Sequence, residues 1–319
     1  MLTEIALLIL GLLLVIFGAD WLVDGASAIA RKLRISEFVI GLTIVGFGTS
    51  CPELVVSVTG AVNGLSDISI GNVIGSNIFN TFLILGVTAL IMPIAITRSN
   101  KRRDIPVTLL VTFLLVFCGM SKTIFGLGAG DGLSRIEGIV FLALFAIYIY
   151  SCFKNDEDTS SEEVPAKELK LAVAILLTLA GLAGLILGGH WFVESAVKIA
   201  HRLGVSDKFI AITLLAGGTS LPELAACMVA AFKKKGQLAL GNILGSNIFN
   251  ILLILGVSAT VRPVSFTNIS LVDVSAMLAS MIMVWLSSYT FKKDKIDRWE
   301  GAIFVASFAA YYVWLFINL

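Results

Sequence analysis

Charged residues are scarce in this sequence: only 14% of its 319 residues are Asp, Glu, Lys or Arg, against about 25% in a typical water-soluble domain. Histidine occurs twice, and the sequence contains no H-E-x-x-H motif and no phosphate-binding P-loop. These absences argue against a metalloprotease or a nucleotide hydrolase, and we expect no enzymatic activity and no cofactor. No basic patch with interleaved aromatic residues is present, so we expect no nucleic-acid partner.

The four cysteines form no C-x-x-C pair and fall in or beside apolar segments, which is typical of small core residues. The start of the sequence shows neither a basic leader nor a small-residue cleavage site, so its first apolar stretch is interpreted as a spanning helix rather than a removable signal. Apolar residues make up 57% of the sequence. Several of the apolar stretches exceed the roughly 20 residues that a helix needs to cross a bilayer.

Breaks in hydrophobicity predict an all-α membrane protein with ten transmembrane helices. The predicted spans are 4–30, 36–62, 68–92, 104–121, 134–153, 169–200, 206–232, 237–261, 268–290 and 299–318. The long hydrophilic segment between the fifth and sixth spans is acidic and is interpreted as a solvated linker. It predicts a first five-helix half at 1–153, a linker at 154–168 and a second five-helix half at 169–319.

Basic residues concentrate in alternate loops, which predicts the orientation of the spans because cytoplasmic loops carry an excess of Lys and Arg. The basic loops are those near 31–34, 98–103, 233–235 and 292–298. We therefore expect these loops and the acidic linker in the cytoplasm and both termini outside. The plasma (inner) membrane is the expected location, and the lipid bilayer is the expected surrounding.

An internal repeat is the strongest pattern in the sequence. Gly-Thr-Ser-Cys-Pro-Glu at 48–53 returns as Gly-Thr-Ser-Leu-Pro-Glu at 218–223, and Gly-Asn-Val-Ile-Gly-Ser-Asn-Ile-Phe-Asn at 71–80 returns as Gly-Asn-Ile-Leu-Gly-Ser-Asn-Ile-Phe-Asn at 241–250. Both blocks repeat at one offset (223 − 53 = 170 and 250 − 80 = 170). A half with an odd number of spans inserts its duplicate upside down, so the pattern predicts two inverted repeats, an arrangement common among secondary transporters.

Two acidic residues, Glu53 and Glu223, occupy equivalent places deep inside apolar spans. An ionisable residue at that depth costs roughly 2.5 kcal/mol or more, so such residues usually serve a function. In inverted repeats the two positions meet near the middle of the membrane. Two facing carboxylates repel, and a divalent cation or several monovalent cations between them would remove the repulsion.

The residues around the two glutamates supply further oxygen atoms. Pro52 and Pro222 each remove a helical hydrogen bond and so free carbonyl groups one turn earlier. The candidate donors are carbonyls, hydroxyls and amides at Gly46, Thr49, Ala216, Thr219, Ser50, Ser76, Ser220, Ser246, Asn80 and Asn250. An all-oxygen set favours hard cations such as Ca²⁺ and Na⁺. The glycines of the second block, Gly71 and Gly75 with their repeats, are in addition typical of close helix packing.

The paired Gly-Thr-Ser-x-Pro-Glu and Gly-Asn-x-x-Gly-Ser-Asn blocks resemble the two alpha repeats of the cation/calcium antiporter superfamily, and in particular the prokaryotic sodium/calcium exchangers. The resemblance implies ten helices in inverted halves, with the second, third, seventh and eighth forming an ion-binding core. It implies that Ca²⁺ and Na⁺ are the transported ions.

The resemblance also implies individual roles. Glu53 and Glu223 would hold Ca²⁺ by their carboxylates, and Thr49 and Thr219 by backbone carbonyls. The implied Na⁺ sites consist of Gly46, Ser50, Ser76, Asn80, Ala216, Ser220, Ser246 and Asn250. Some relatives, including potassium-dependent exchangers, carry aspartate where this sequence has Asn250. The two asparagines here therefore predict transport that does not require K⁺.

Three functions are compatible with these residues. The leading prediction is a secondary antiporter that exchanges Ca²⁺ for Na⁺ by alternating access. An H⁺/Ca²⁺ exchanger, or one for another divalent cation, is the alternative, because paired glutamates can also carry protons. A channel differs from both in needing no alternation, and inverted repeats around a midplane site favour the antiporter. The oligomeric state has no signal in the sequence.

Overall fold

The fold is almost entirely helical. A computed structural model describes residues 2–127, 130–154, 156, 169–204, 216–266, 269–290 and 294–318. The α-helices of the first half are α1 (Leu2–Leu33), α2 (Glu37–Ile40), α3 (Gly46–Thr49), α4 (Cys51–Val62), α5 (Ser66–Ile78), α6 (Leu85–Ile91), α7 (Ile105–Gly119), α8 (Ser121–Phe125) and α9 (Arg135–Lys154). Those of the second half are α10 (Leu171–Arg202), α11 (Ala216–Gly218), α12 (Leu221–Phe232), α13 (Gly236–Ile248), α14 (Gly256–Val261), α15 (Leu271–Ser287) and α16 (Arg298–Asn318).

Short π-helical segments join several of these helices. They are π1 (Gly41–Val45), π2 (Phe79–Ile84), π3 (Asn100–Asp104) and π4 (Phe249–Leu255). The described strands have two residues each: β1 (Ile94–Ala95), β2 (Gly132–Leu133), β3 (Val264–Ser265) and β4 (Lys295–Ile296). Because π-helical turns are rare and frequently lie at functional sites, the segments that contain Asn80 and Asn250 draw attention to those two residues.

Six helical stretches of the described chain are long and apolar enough to cross a membrane, and a bent pair makes a seventh. They match seven of the ten predicted spans. Of the other three predicted spans, 104–121 corresponds to α7 and 268–290 to α15, and both helices are shorter. The span 206–232 corresponds to α12, and much of its remainder lies outside the described residues. The protein is thus a helical membrane protein, and the number of ten spans stays a prediction. The predicted linker 154–168 lies almost wholly outside the described residues.

The continuous helical stretches 66–91 and 236–261 form the centre of the protein. In their most apolar windows, 72% and 94% of the residues are buried, against 17% to 33% in the other four long helices. Close packing explains part of this burial: a methyl group added at Gly241 or Gly245 would lie 2.2 or 2.5 Å from a carbonyl oxygen of Phe38 or Leu42. These two glycines therefore do serve helix packing. The residues equivalent to Phe38 and Leu42 in the second half lie outside the described part.

The long helices α1 and α10 pack against each other along a seam of glycines. A methyl group at Gly11 would lie 2.7 Å from the Gly188 carbonyl oxygen, and one at Gly18 would lie 2.9 Å from the Gly181 carbonyl oxygen. The partner numbers fall as the α1 numbers rise, so the two helices are antiparallel. Only glycine permits such backbone contact, which in membranes takes the place of a hydrophobic driving force between helices.

The last helix of each half packs on the third spanning stretch of the other half. A methyl group at Gly138 of α9 would lie 2.8 Å from the Gly256 carbonyl oxygen of α14, and one at Gly301 of α16 would lie 2.8 Å from the Gly86 carbonyl oxygen of α6. The two contacts are equivalent under the repeat. Gly86 and Gly256 are separated by 170 residues, as the repeated blocks are, whereas Gly138 and Gly301 are separated by 163 (256 − 86 = 170 and 301 − 138 = 163). The antiparallel strand pairs β1–β4 and β2–β3 cross between the halves in the same way.

Candidate cation site

Each Gly-Thr-Ser-x-Pro-Glu block breaks its helix at the serine. Ser50 has φ −84° and ψ 6°, and Ser220 has φ −88° and ψ 7°, both outside helical geometry. The following proline lies in the first turn of the next helix, where its missing N–H costs no hydrogen bond. In the first half the helical stretches on either side of this break are bent by 50°. The break turns the serine and the first turn of the next helix toward the centre of the protein.

Both glutamates are buried, and each accepts a hydrogen bond from the block serine of the other half. Glu53 and Glu223 are each 1% exposed. The Ser220 hydroxyl donates to Glu53 Oε1 over 3.2 Å, and the Ser50 hydroxyl donates to Glu223 Oε1 over 3.0 Å. These two hydrogen bonds are equivalents under the 170-residue repeat. The structure therefore brings both predicted acidic residues and both block serines into one site between the halves.

The serines of the second block complete the ring of hydroxyl groups. Ser76 donates to Glu53 Oε1 over 3.4 Å, and the hydroxyl oxygens of Ser246 and Ser50 lie 3.0 Å apart. Both come from the central helices, Ser76 from α5 and Ser246 from α13. Because a hydroxyl oxygen both donates and accepts, the serines that donate to the carboxylates in this structure can turn their lone pairs toward a cation.

Several oxygen atoms of this site have no hydrogen-bond partner. The unpartnered, fully buried acceptors among the predicted site residues are Glu53 Oε2, Glu223 Oε2, Asn80 Oδ1 and Asn250 Oδ1. A buried acceptor without a partner costs about 1–3 kcal/mol, and more when it is charged. Among the described residues neither glutamate forms an ion pair with Lys, Arg or His. These acceptors and the missing counter-charge are the features that a bound cation would satisfy.

The donor set fits a hard cation. No group of three or more His, Cys, Asp or Glu side chains able to hold a metal ion occurs in the described part of the chain. A cation at the glutamates would therefore take its remaining ligands from hydroxyl, amide and carbonyl oxygens. Ca²⁺ and Na⁺ accept such ligands, whereas zinc and copper favour nitrogen and sulfur.

The predicted carbonyl ligands lie beside the helix breaks. The Gly46 carbonyl accepts from the Ser50 amide over 3.1 Å, and Thr49 follows in the same turn. The Thr49 hydroxyl is bonded to the Val45 carbonyl over 3.0 Å, which leaves its backbone carbonyl as the group to consider. In the second half Ala216 begins the short helix α11 and Thr219 lies in the turn that follows it. Their role as carbonyl ligands stays a prediction.

Two asparagines that were not predicted from the sequence contact residues of the site. Asn72 donates to the Glu53 carbonyl over 3.1 Å and to the Ser57 hydroxyl over 2.9 Å. Asn242, its repeat equivalent, lies 3.2 Å from the Thr49 hydroxyl. Both belong to the Gly-Asn pair that opens the second repeated block, and their identity across the repeat is the signal that could have identified them.

Comparison with known proteins agrees with this geometry. A sequence model of the family described as "Sodium/calcium exchanger protein" matches residues 3–154 and 173–317, which is nearly the whole chain. The chain belongs to this family. The resemblance drawn from the two repeated blocks is thereby confirmed.

Relatives of the exchanger family resemble this chain over their full length. A putative antiporter, CaxA, from Alkalimonas amylolytica is 38% identical over 99% of both chains. The sodium/calcium exchanger MaX1 from Methanosarcina acetivorans is 34% identical over 97% of both chains. Among solved structures, the sodium-calcium exchanger NCX_Mj soaked with 2.5 mM Na⁺ and 10 mM Sr²⁺ matches with a TM-score of 0.84, 36% identity and 97% coverage of both chains.

Three acids of the long helices α1 and α10 form ion pairs with lysines. Asp20 and Asp24 belong to α1, and Glu194 belongs to α10. In the structure Lys233 lies 2.6 Å from a carboxylate oxygen of Asp20 and 2.7 Å from one of Asp24. Glu194 pairs with Lys198 over 2.7 Å and is about half exposed. These ion pairs account for the three acids without a ligand role.

Proposed function

We propose that this chain exchanges Ca²⁺ for Na⁺ across the membrane, and that Glu53 and Glu223 form the centre of its cation site. The observation that carries the proposal is the pair of buried carboxylates from opposite halves, each with an oxygen that has no hydrogen-bond partner. With both carboxylates ionised the site has a charge of −2. One Ca²⁺ balances this charge, and so do two Na⁺, which is why the two cations would compete for the same place.

The architecture proposed for this function is ten spans in two inverted halves, 1–153 and 169–319, joined by the linker 154–168. Three observations support it. The serine–glutamate hydrogen bonds, the glycine contacts of α9 and α16, and the strand pairs each occur twice, with the halves exchanged. A site formed at the interface of inverted repeats can be opened to either side by rocking one element against the others.

The burial of the site supports alternating access. Because both glutamates are only 1% exposed, a cation can enter or leave only after helices separate. When a cation leaves, the serine hydroxyls can donate to the carboxylates. When a cation binds, the same hydroxyls can turn to present lone pairs. This exchange of partners would let the empty and the loaded site both exist in a closed form.

The basic loops predict the sidedness of the proposed exchanger. In this proposal the linker and the loop at 233–235 face the cytoplasm, both termini face outside, and the membrane is the plasma (inner) membrane. An exchanger of this kind needs no cofactor and performs no covalent chemistry. Its substrates are the small inorganic cations themselves.

The decisive experiment is ⁴⁵Ca²⁺ uptake into proteoliposomes under an imposed gradient of Na⁺, K⁺ or H⁺. We expect an outward Na⁺ gradient to drive uptake, and the H⁺ and K⁺ gradients to leave it at the level of protein-free liposomes. Uptake driven by H⁺ but not by Na⁺ would assign the chain to H⁺/Ca²⁺ exchange. Uptake that is independent of every gradient would contradict an antiporter.

A further inference from the structure

The asparagine of each Gly-Ser-Asn triplet is buried but is not a predicted ligand. Asn77 is 2% exposed and Asn247 is 1% exposed. The Asn250 side-chain amide donates through Nδ2 to Asn77 Oδ1 over 2.9 Å. This bond crosses from the second half to the first. It occupies the nitrogen of Asn250 and leaves Oδ1 as the unpartnered atom.

The direction of this hydrogen bond is set by a backbone group. Asn77 Nδ2 donates, over a longer distance of 3.5 Å, to the backbone carbonyl of Asn247. A carbonyl can only accept, so it selects the nitrogen of Asn77 and directs Asn77 Oδ1 toward Asn250. If the Asn250 amide were reversed, its Oδ1 would face Asn77 Oδ1 at hydrogen-bond distance, with no hydrogen atom between the two acceptors. The carbonyl of Asn247 thus favours, through Asn77, the orientation that leaves Asn250 Oδ1 available.

The equivalent bond is missing on the other side of the site. There Asn247 donates through Nδ2 to the Thr81 hydroxyl over 2.8 Å, and no hydrogen bond joins it to Asn80 among the described contacts. Asn247 Oδ1 and Asn80 Oδ1 are both buried without a partner. The two repeats therefore hold identical residues in different ways. The amide of Asn250 is oriented by a neighbour, and the amide of Asn80 is not oriented by the equivalent neighbour.

We infer that Asn77 is a positioning residue that turns the carbonyl oxygen of Asn250 toward the cation site, and that this support exists for Asn250 but not for Asn80. The inference rests on the proposed function, because it assumes that the site binds a cation. It names Asn77 as a residue that affects cation affinity without touching the cation. It also makes the two asparagine ligands unequal, although the repeated sequence makes them look the same.

A double-mutant cycle in the purified protein tests this inference. Asn77→Leu keeps the approximate size of the side chain and removes its acceptor, and Asn250→Ala removes the side chain on which Asn77 acts. The Ca²⁺ affinity of the starting protein, the two single variants and the double variant is obtained from the rise of the unfolding temperature with Ca²⁺ concentration. A cycle reports coupling because an effect that passes through Asn250 vanishes when Asn250 is absent.

We expect Asn77→Leu to weaken Ca²⁺ binding about five- to tenfold, the fold-change that corresponds to the loss of one neutral hydrogen bond. In the Asn250→Ala background we expect the same change to have less than about a twofold effect. Asn77→Asp keeps an acceptor toward Asn250, and its protonated form also keeps a donor toward the Asn247 carbonyl, so this variant should bind Ca²⁺ no more weakly than the starting protein. If Asn77→Leu does not fold, Asn77→Ser, which is too short to reach Asn250, replaces it with the same expectation.

The matched control is Asn247→Leu, measured with and without Asn80→Ala. Any change of affinity that it causes should be equal in both backgrounds. An equal effect of Asn77→Leu with and without Asn250, or no effect at all, would overturn the positioning role. A starting protein without saturable Ca²⁺ stabilisation would instead refute the cation site itself, so the two failures are distinguishable.

Discussion

Replacing Glu223 by Gln tests the charge of the proposed site while nearly conserving its shape. The amide oxygen of the variant can still accept a hydrogen bond from Ser50. Its NH₂ group then takes the place of Glu223 Oε2, which has no hydrogen-bond partner in the structure. The charge of the site falls from −2 to −1. At 4 Å and an effective dielectric of 20, a carboxylate attracts a monovalent cation by about 4 kcal/mol and a divalent cation by about 8 kcal/mol.

Most of this attraction is offset by the dehydration of the ion. If a quarter remains, Ca²⁺ binding weakens by about 2 kcal/mol, or roughly 30-fold, and Na⁺ binding weakens by about 1 kcal/mol, or roughly fivefold. The loss is larger for the divalent ion because the interaction scales with its charge. We therefore expect near-complete loss of Ca²⁺ flux with a smaller loss of Na⁺ binding, and the same for Glu53→Gln.

The measurement is Na⁺-driven ⁴⁵Ca²⁺ flux at equal amounts of reconstituted protein, together with Na⁺- and Ca²⁺-dependent unfolding temperatures in detergent. Glu194→Gln is the matched control, because it makes the same chemical change at a half-exposed glutamate that pairs with Lys198. It should transport as the starting protein does. Substantial Ca²⁺ flux through Glu223→Gln, or an equal loss in the control, would refute the reasoning.

The remaining predictions concern topology, cation coupling and packing. Cysteines placed at Asp158 and at Leu65 in a cysteine-free background should be labelled from opposite sides of the membrane, and labelling from one side would contradict the inverted repeats. Na⁺-driven Ca²⁺ flux should persist when choline replaces K⁺ on both sides, and Asn250→Asp should shift the apparent cation affinities. Loss of Ca²⁺ flux in the unmodified protein when K⁺ is absent would contradict the role given to the asparagines. Gly18→Ala should lower the unfolding temperature by several degrees, because its methyl group would lie 2.8 Å from the Leu185 amide nitrogen. The control Gly130→Ala, with no atom within 4 Å of the added methyl group, should leave the unfolding temperature unchanged. Equal unfolding temperatures for the two variants would contradict the close packing of α1 and α10.

Much of the site could be predicted because the repeat marks it twice. Glu53, Glu223 and the serines of both blocks were identified from the sequence, and the structure brings them together. The helix breaks at Ser50 and Ser220 follow from the prolines, whose effect on a helix is local and therefore visible in a sequence.

The contacts between repeats could not be predicted in the same way. The bond from Asn250 to Asn77 joins positions that are 173 residues apart, and no local pattern indicates that Asn247 makes a different bond. The packing of α9 and α16 was also missed. Their offset of 163 differs from the 170 of the two blocks, and their shared Arg-x-Glu-Gly start is too short to align by itself. Hydrophobicity identifies a span but not its neighbours.

The exchange of the last helices between the halves has a consequence for biosynthesis. The glycine face of α6 at Gly86 receives its partner only when α16, with Gly301, has been made and inserted. α9 is made in the first half, but it must wait for Gly256 of α14. Neither half can therefore complete its packing while the ribosome is still translating the second. The protein should become resistant to proteolysis in one late step, after α16 enters the membrane, rather than half by half.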